Sequence, residues 1–373
     1  MRKQSPPSDG GSFVIAVIGG IPIRIHITFL LLLFWIGFAG AEAGKGRSSS
    51  SIVFVLLLFV CVVLHELSHA TVATRYGIRT LSITLYPIGG VALLEQSPRP
   101  RQEFWIALAG PLMNFVLAGL AALGLVATHA KLGTFQLGQS RAGLVSDLMW
   151  ANLILGAFNM IPAFPMDGGR VLRSVIAQFT DEVRATEIAA MIGQIIALAF
   201  GVFALVQGQI LLVLVAAFVY FGAGQEAGAF RTRALMLGHK VREAMMTEVR
   251  TLPVGVTLKE AAQTLVSGSQ HDFPIMNGDE VVGLLSREDL MRGIASQEEG
   301  AYIAGLMNRD YPRTTSDADL ETVLTNFARA GTILVVDTAS SGREVLVGML
   351  TQENTIEFLM LAQLALRRAA RTN

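Results

Sequence analysis

Residues 51–75 read SIVFVLLLFVCVVLHELSHATVATR, an apolar stretch long enough to cross the hydrocarbon core of a membrane as a helix. Near its end stands His65-Glu66-Leu67-Ser68-His69. Ionisable side chains at membrane depth are costly unless they are paired or ligated, so three of them so close together indicate a function. Two histidines four residues apart project from one face of a helix as metal ligands, and the glutamate between them can activate water. The alternative is a pair of hydrogen-bonded core histidines.

The composition excludes several functional classes. Apolar residues make up 52% of the 373 residues and the mean hydropathy is +0.52, which is too apolar for a soluble domain of this size. The formal net charge is zero and there is no dense block of lysine and arginine, so nucleic acid is not an expected partner. The single cysteine, Cys61, excludes a disulfide within the chain. We interpret it as a small hydrophobe, with a soft metal ligand as the alternative.

The apolar pattern predicts membrane helices and two β-hairpins. Six windows of about 20 mostly apolar residues lie near 26–43, 51–75, 103–128, 143–162, 186–206 and 209–228. Alternating apolar residues around Gly19-Gly20 predict a hairpin in Ser12 to Ile27, at the membrane surface. A second hairpin, re-entrant or interfacial and lined by protein, is predicted in Ile78 to Glu95 with its turn at Gly89-Gly90; a surface loop is the alternative. The third window, which includes Gly110, favours close helix packing over a pocket.

Basic residues are distributed unevenly between the two sides of these helices. One side would carry only Lys45, Arg47, Lys131 and Arg141. The other side would carry Arg2, Lys3, Arg24, Arg75, Arg79, Arg99, Arg101, Arg170, Arg173, Arg184, Arg231, Arg233, Lys240 and Arg242. By the positive-inside tendency, this imbalance predicts a multi-pass protein of the cell membrane with both termini and the whole C-terminal region in the cytoplasm.

The chain from about Val241 onward has the charge density of a soluble α/β protein, and its pattern occurs twice. One copy runs from Met245 to Leu290 and the other from Leu306 to Asn354. Each copy reads as a helix, two strands closed by a turn, and a second helix. An internal duplication at a period of roughly sixty residues predicts two modules that share one fold.

A catalytic zinc needs three protein ligands and one open position, so the two histidines require a third ligand. Asp167 is the best candidate, in the stretch from Asn159 to Arg170 that reads NMIPAFPMDGGR. Two prolines break an apolar helix there and two glycines follow, so non-helical backbone can bring a carboxylate inward. A polar Asp-Gly turn at the membrane edge is the alternative.

Together these motifs resemble the site-2 protease family of intramembrane zinc metalloproteases, peptidase family M50, in which a His-Glu-x-x-His motif and an Asn-x-x-Pro…Asp-Gly motif stand in this order. The resemblance covers roughly residues 12 to 228. It implies that His65, His69 and Asp167 bind one zinc ion per chain and that Glu66 is the general base. It also implies that Asn159 positions the substrate or stabilises the oxyanion, and that Gly89 and Gly90 belong to a re-entrant hairpin that contacts the substrate.

The duplicated C-terminal region resembles a pair of cystathionine-β-synthase (CBS) domains, an arrangement found in one branch of that family. Ser286-x-x-Asp289 resembles the CBS signature in which a hydroxyl contacts phosphate and a carboxylate contacts a ribose. The second copy has Thr351-x-x-Asn354, whose neutral amide departs from that signature. The resemblance implies a regulatory ligand of the ATP or AMP type. Simple caps of the following helices are the alternative.

The expected fold is a polytopic α-helical membrane protein of about six transmembrane helices with re-entrant or interfacial β-hairpins, followed by an α/β CBS-domain pair. The expected boundaries are a polar tail at 1–11, the metalloprotease domain at 12–228, a linker at 229–240, CBS domains at 241–297 and 298–366, and a tail at 367–373.

The function expected from the resemblance is hydrolysis of a peptide bond in or near the transmembrane segment of another membrane protein, in regulated intramembrane proteolysis. The implied substrates are membrane-tethered transcription regulators or their inhibitors, and CBS pairs imply a homodimer. One alternative is a CBS-gated transporter or channel in which the histidines and Asp167 form an ion path. Another alternative is an inactive scaffold with a structural zinc.

Overall fold

The computed structural model describes residues 11–31, 47–87, 89–129, 143–296, 300–326, 331–339 and 342–372. The chain divides into two compact units, Met1–Phe230 and Arg231–Asn373. Most of the first predicted window (26–43), the segment 1–10, Lys45, Lys131 and Arg141 lie outside the described residues, and so does the side chain of Arg47.

The first unit is built mainly from helices. They are α1 (Arg47–Arg75), α2 (Pro100–Ala127), α3 (Leu144–Asn159), α4 (Asp167–Ile176), α5 (Glu182–Val206) and α6 (Ile210–Met236). Four segments among the described residues are long and apolar enough to cross a membrane: Ile52–Arg75, α2, α5 and α6. They confirm four predicted windows. Helix α3 is also apolar but has only 16 residues, so the predicted window 143–162 was too long, because the helix ends before Pro162.

Both predicted hairpins form, and together they make one sheet of four strands in the order β1-β2-β3-β4. The strands are β1 (Ser12–Ile18), β2 (Ile21–His26), β3 (Thr80–Tyr86) and β4 (Gly89–Leu94). The parallel pairing of β2 with β3, which joins the hairpins, was not predicted. The predicted turn at Gly89-Gly90 is wrong: Gly89 pairs with Tyr86 and Gly90 with Leu85, so both glycines are strand residues.

Apolar side chains of the sheet pack on α1. Ile23, Ile83 and Leu85 are almost completely buried and form one cluster with Phe29 and Phe59. This burial holds the β3–β4 hairpin against the helix that carries the His-Glu-x-x-His motif. The basic Arg24 of β2 is also buried, and its Nε donates to Ser12 Oγ at 3.1 Å.

Small residues allow α5 and α6 to pack closely on the loop between α3 and α4. A Cβ added at Gly193 of α5 would come within 3.0 Å of Ala163, and one added at Gly222 of α6 would come within 2.9 Å of Pro165. Ala163 and Phe164 of this loop are completely buried. The loop is therefore held on the side that faces α5 and α6, which fixes where α4 begins.

The second unit contains the predicted duplication. The first copy comprises α7 (Val241–Ala244), β5 (Leu252–Pro253), α8 (Leu258–Val266), β6 (Phe273–Asn277), β7 (Glu280–Leu285) and α9 (Arg287–Ser296). The second comprises a 3-10 helix (Ile303–Gly305), β8 (Arg313–Thr314), α10 (Leu320–Asn326), β9 (Thr332–Thr338), β10 (Glu344–Thr351) and α11 (Gln352–Thr372). Each copy has a short parallel strand, β5 or β8, that the pattern did not predict. Each three-stranded sheet has its own apolar core.

Two helices extend into the segments that were expected to be a linker and a C-terminal tail. Helix α6 continues through Met236, within the expected linker. Helix α11 continues through Thr372, and so includes most of the expected C-terminal tail.

Candidate active site

Three side chains from two separate segments meet inside the first unit. His65 and His69 project from α1, and Asp167 is the first residue of α4. Oδ2 of Asp167 lies 3.2 Å from Nε2 of His65 and 3.3 Å from Nε2 of His69, and the two Nε2 atoms are 3.1 Å apart. The three side chains are only 9%, 12% and 14% exposed. Among the described residues they are the group whose ligand atoms are close enough to hold a metal ion.

This donor set fits zinc. Imidazole nitrogen and carboxylate oxygen bind zinc at about 2.0–2.2 Å, so two ligands at a tetrahedral angle lie roughly 3.3–3.5 Å apart. The three observed separations, 3.1 to 3.3 Å, are close to this value. Three protein ligands leave one position of the tetrahedron for water or substrate, which is typical of a catalytic site rather than a structural one.

The second nitrogen of each imidazole is held by a neighbour from α2. Nδ1 of His65 donates to Oδ1 of the buried Asn114 at 2.6 Å, and Nδ1 of His69 donates to the carbonyl of Ile106 at 2.5 Å. These bonds keep the proton on Nδ1, so that both Nε2 atoms present a lone pair to the metal position. Sequence reasoning missed both partners. A polar Asn114 within an apolar helix was a usable signal, whereas the carbonyl of Ile106 has none.

Gly110 lies directly against the two imidazoles. A Cβ added there would come within 2.5 Å of Nε2 of His65 and closer still to Nε2 of His69. The predicted close helix packing is therefore observed at this glycine, and the helix that α2 packs against is the one that carries the two histidines. The absence of a side chain at Gly110 leaves room for the imidazole nitrogens on the α2 side of the site.

The two glycines after Asp167 let α4 start beside the preceding loop. A Cβ at Gly168 would come within 2.6 Å of the carbonyl carbon of Met160, and one at Gly169 would come within 2.6 Å of the carbonyl carbon of Ala163. Any larger residue would push α4 away from the loop. The glycines thus allow Asp167 to face the histidines, as the sequence predicted, instead of forming a polar turn at the membrane edge.

Strand β4 passes over Glu66. A Cβ added at Gly90 would lie 2.5 Å from Cγ and 3.0 Å from Oε1 of Glu66, so only glycine fits between the strand and this carboxylate. Gly89 has a φ of +145°, a backbone conformation that favours glycine. The second hairpin therefore passes next to Glu66, where Gly90 is needed for the close approach and Gly89 for its backbone conformation.

Two other candidate residues, Asn159 and Cys61, are not among the three side chains that form the proposed metal site. Asn159 is the last residue of α3 and is half-buried, and its side chain makes no hydrogen bond to the residues that the structure describes. Cys61, one turn before His65, accepts a 3.3 Å hydrogen bond from Nδ2 of Asn152. Cys61 does not belong to the metal-ligand cluster formed by the described residues, which agrees with the interpretation as a small hydrophobe.

In the second unit the two signature hydroxyls cap helices. Ser286 Oγ accepts from the backbone N–H of Asp289 at 3.1 Å and donates to its Oδ2 at 2.6 Å. Thr351 Oγ1 accepts from the N–H of Asn354 at 3.2 Å and donates to its Oδ1 at 2.7 Å. The alternative reading as helix caps is thus observed in both copies. The cap bonds do not use every lone pair of these side-chain oxygens.

Comparisons with known proteins agree with this architecture. The model of peptidase family M50 matches residues 53–143 and 134–200, and the CBS-domain model matches residues 241–296. Zinc metalloprotease MJ0392 of Methanocaldococcus jannaschii is 34% identical over 327 residues, which cover 86% of this chain and 89% of that protein.

Two solved structures are also similar. The site-2 protease from Methanocaldococcus jannaschii is 40% identical, covering 58% of this chain and 95% of that one, with a TM-score of 0.44. The CBS-domain pair of protein MJ0100, solved with 5′-methylthioadenosine and S-adenosyl-L-methionine, is 21% identical, covering 34% of this chain and 98% of that one, with a TM-score of 0.29.

The identity to MJ0392 extends over most of both chains. The chain therefore belongs to peptidase family M50, the site-2 type of zinc metalloproteases, and has a CBS-domain pair at its C-terminal end.

Proposed function

We propose that this metalloprotease hydrolyses a peptide bond in or near the transmembrane segment of a membrane-protein substrate, in regulated intramembrane proteolysis. The observation that carries the proposal is the triangle of His65, His69 and Asp167 next to Glu66, in which the two histidines and Glu66 belong to a helix long and apolar enough to cross a membrane. A site of this composition at membrane depth serves a reaction on a bond that is itself at that depth.

We assign each side chain of the site a role in this reaction. His65, His69 and Asp167 would hold the zinc ion, which supplies a Lewis acid and lowers the pKa of water. The carboxylate of Glu66 accepts a proton from the attacking water and later donates it to the amine nitrogen of the leaving peptide. The amide N–H of Asn159 donates to the oxygen of the tetrahedral intermediate. Asn114 and the carbonyl of Ile106 keep the imidazoles oriented throughout.

The substrate would bind along strand β4. This strand is at the edge of the four-stranded sheet, so one row of its backbone N–H and C=O groups is not paired within that sheet. The lack of a side chain at Gly90 allows this strand to lie next to Glu66. An unwound segment of a substrate helix can add to the edge as a further strand, which exposes a peptide bond that the helix would otherwise bury.

The protein would be a multi-pass protein of the cell membrane with both termini in the cytoplasm. The support is the uneven distribution of basic residues along the sequence. The CBS pair would then be cytoplasmic and would tune access to the site according to an adenine nucleotide. Membrane-tethered transcription regulators or their inhibitors are the proposed substrates, and a homodimer through the CBS domains is the proposed assembly.

The nucleotide would be contacted by Ser286 and Asp289 in the first copy and by Thr351 and Asn354 in the second. Asn354 can bond a ribose hydroxyl only as a neutral group, so we expect the first copy to bind more tightly. Titration of the full-length protein with AMP and ATP, compared between wild type, Asp289→Asn and Asn354→Ala, tests this assignment. Equal loss of binding in both variants, or none in either, would contradict the expected ranking.

Metal analysis combined with cleavage tests the catalytic proposal. Wild type, Glu66→Gln and the control Glu182→Gln, which changes an exposed glutamate in the first turn of α5, would be purified without chelators and mixed with a candidate membrane substrate. We expect stoichiometric zinc in all three proteins and loss of cleavage only in Glu66→Gln. A wild-type protein without zinc would favour the CBS-gated transporter. Retained cleavage in Glu66→Gln would remove this residue from the reaction.

A further inference from the structure

A second buried pair of charged residues lies outside the zinc site. Glu103 of α2 and Arg173 of α4 have side chains that are 10% and 12% exposed. Nε of Arg173 donates to Oε2 of Glu103 at 3.1 Å, and Nη2 of the same guanidinium contacts Oε1. Two parallel N–H···O bonds between a planar guanidinium and a carboxylate fix orientation as well as distance.

Aromatic rings also hold the guanidinium of Arg173. Its Cζ lies 5.7 Å from the ring centroid of Phe164 and 4.9 Å from that of Phe230. Phe164 is completely buried in the loop that leads to Asp167, and Phe230 lies on α6. Arg173 therefore joins α2, the loop and α6 to the short helix α4, and cation–π attraction adds to the ion pair.

The pair lies on two helices that also take part in the zinc site. Glu103 stands seven residues before Gly110 on α2, so both are on one face of that helix, about 10 Å apart along its axis. Arg173 stands six residues after Asp167 on α4, a distance of about 9 Å. Residues six apart on a helix differ by about 120° in direction, so the two side chains leave α4 on different sides. Helix α4 is therefore held at two points, by Asp167 against the histidines of α1 and by Arg173 against Glu103 of α2.

Helix α4 needs such a second contact. It has only ten residues, begins at Asp167 and follows a non-helical loop. With contact at the zinc end alone, a short helix can rotate or slide, and an error of about 1 Å in a ligand position is enough to impair catalysis. The second contact fixes both the rotation and the height of α4.

We propose that Glu103 and Arg173 form a positioning pair that sets the Asp167 carboxylate against the two histidines. Neither residue touches the reacting atoms. The inference rests on the proposed role of Asp167 as a zinc ligand, and it adds a determinant of metal affinity about two turns of helix from Gly110 along α2.

The test measures zinc affinity by chelator competition, and the visible absorption of the Co²⁺-substituted protein, in full-length Arg173→Lys and Glu103→Gln. Lysine keeps the positive charge of Arg173 but cannot make two parallel hydrogen bonds to the carboxylate. Glutamine keeps the shape of Glu103 but loses its negative charge. We expect zinc affinity to fall about 10- to 100-fold, as for other groups that orient ligands, with a shifted Co²⁺ spectrum. The charge-swapped variant Glu103→Arg/Arg173→Glu should recover part of the affinity.

Two comparisons make the result decisive. Arg184→Gln removes the exposed ion pair between Arg184 and Asp181, and we expect it to leave zinc affinity and the Co²⁺ spectrum unchanged. If a single variant does not fold, Glu103→Gln/Arg173→Gln leaves no uncompensated buried charge and gives the same readouts.

Wild-type zinc affinity and an unchanged Co²⁺ spectrum in folded variants would overturn the positioning role. Zinc binding by Asp167→Asn distinguishes a failure of the positioning role from a failure of the proposed zinc site. If Asp167→Asn abolishes zinc binding while the pair variants bind normally, only the positioning role fails. If Asp167→Asn itself binds zinc normally, the proposed ligand set fails.

Discussion

Substitution of Gly110 by alanine places a methyl group at the zinc site. The added Cβ would come within 2.5 Å of Nε2 of His65 and closer to Nε2 of His69, whereas carbon and nitrogen normally remain about 3.5 Å apart. At least about 1 Å of movement is required. Backbone movement is opposed by the packing of α2, so the imidazoles must move, and their Nε2 atoms leave the 3.1 to 3.3 Å triangle with Asp167.

We expect Gly110→Ala to lose stoichiometric zinc and to lower the cleavage rate at least about 100-fold. The matched control is Gly119→Ala in the same helix, where an added Cβ has no neighbour within 4 Å. Both changes increase helix propensity by up to about 1 kcal/mol, so Gly119→Ala should be at least as stable as wild type, with normal zinc content and cleavage. Normal zinc and normal cleavage in Gly110→Ala would refute the placement of this glycine against the imidazoles.

Three further predictions concern other contacts. Asn114→Leu removes the acceptor for Nδ1 of a ligand histidine and should weaken zinc binding about 10- to 100-fold in a chelator competition; unchanged affinity would exclude that role. Gly90→Ala drives a methyl group into Glu66, so cleavage should fall while zinc content stays normal; equal loss of both would place β4 at the metal rather than at the base. The pKa of Asp337 is lowered because the hydroxyl and N–H of Ser316 donate to its carboxylate. A lowered folded-state pKa stabilises the fold above the unfolded value, about 3.9, and this contribution disappears as pH falls through the folded value. Amide exchange in β9 should therefore be faster in Asp337→Asn than in wild type at pH 6, and the difference should shrink as pH falls below about 3.9.

The sequence was most informative where residues conflict with their surroundings. Glu66 and the two histidines stand out because ionisable side chains at membrane depth are costly unless they are paired or ligated. Asp167 stands out because prolines and glycines interrupt an apolar helix. Strand and helix patterns in the C-terminal unit were readable because soluble elements alternate buried and exposed residues. The short strands β5 and β8 were missed, since two residues have no periodicity.

Contacts made by glycine or by the backbone could not be read from the sequence. Gly110 looks the same as Gly119, yet only the former lies against the ligands, because the difference depends on which face of α2 meets α1. Gly89 and Gly90 suggested a turn by composition, but both are strand residues, and the lack of a side chain at Gly90 lets the strand approach Glu66. Arg173 was counted among the basic residues that flank the membrane helices, whereas tertiary structure pairs it with Glu103.

Zinc K-edge X-ray absorption of the purified, zinc-loaded protein tests the metal centre most directly. We expect two imidazole nitrogens and one carboxylate oxygen at about 2.0–2.2 Å, with a fourth light-atom ligand that exchanges with solvent. His65→Ala and Asp167→Asn should each change this pattern. A sulfur neighbour at about 2.3 Å would implicate Cys61, and four ligands from the protein would indicate a closed structural site; either result would contradict a catalytic zinc held by His65, His69 and Asp167.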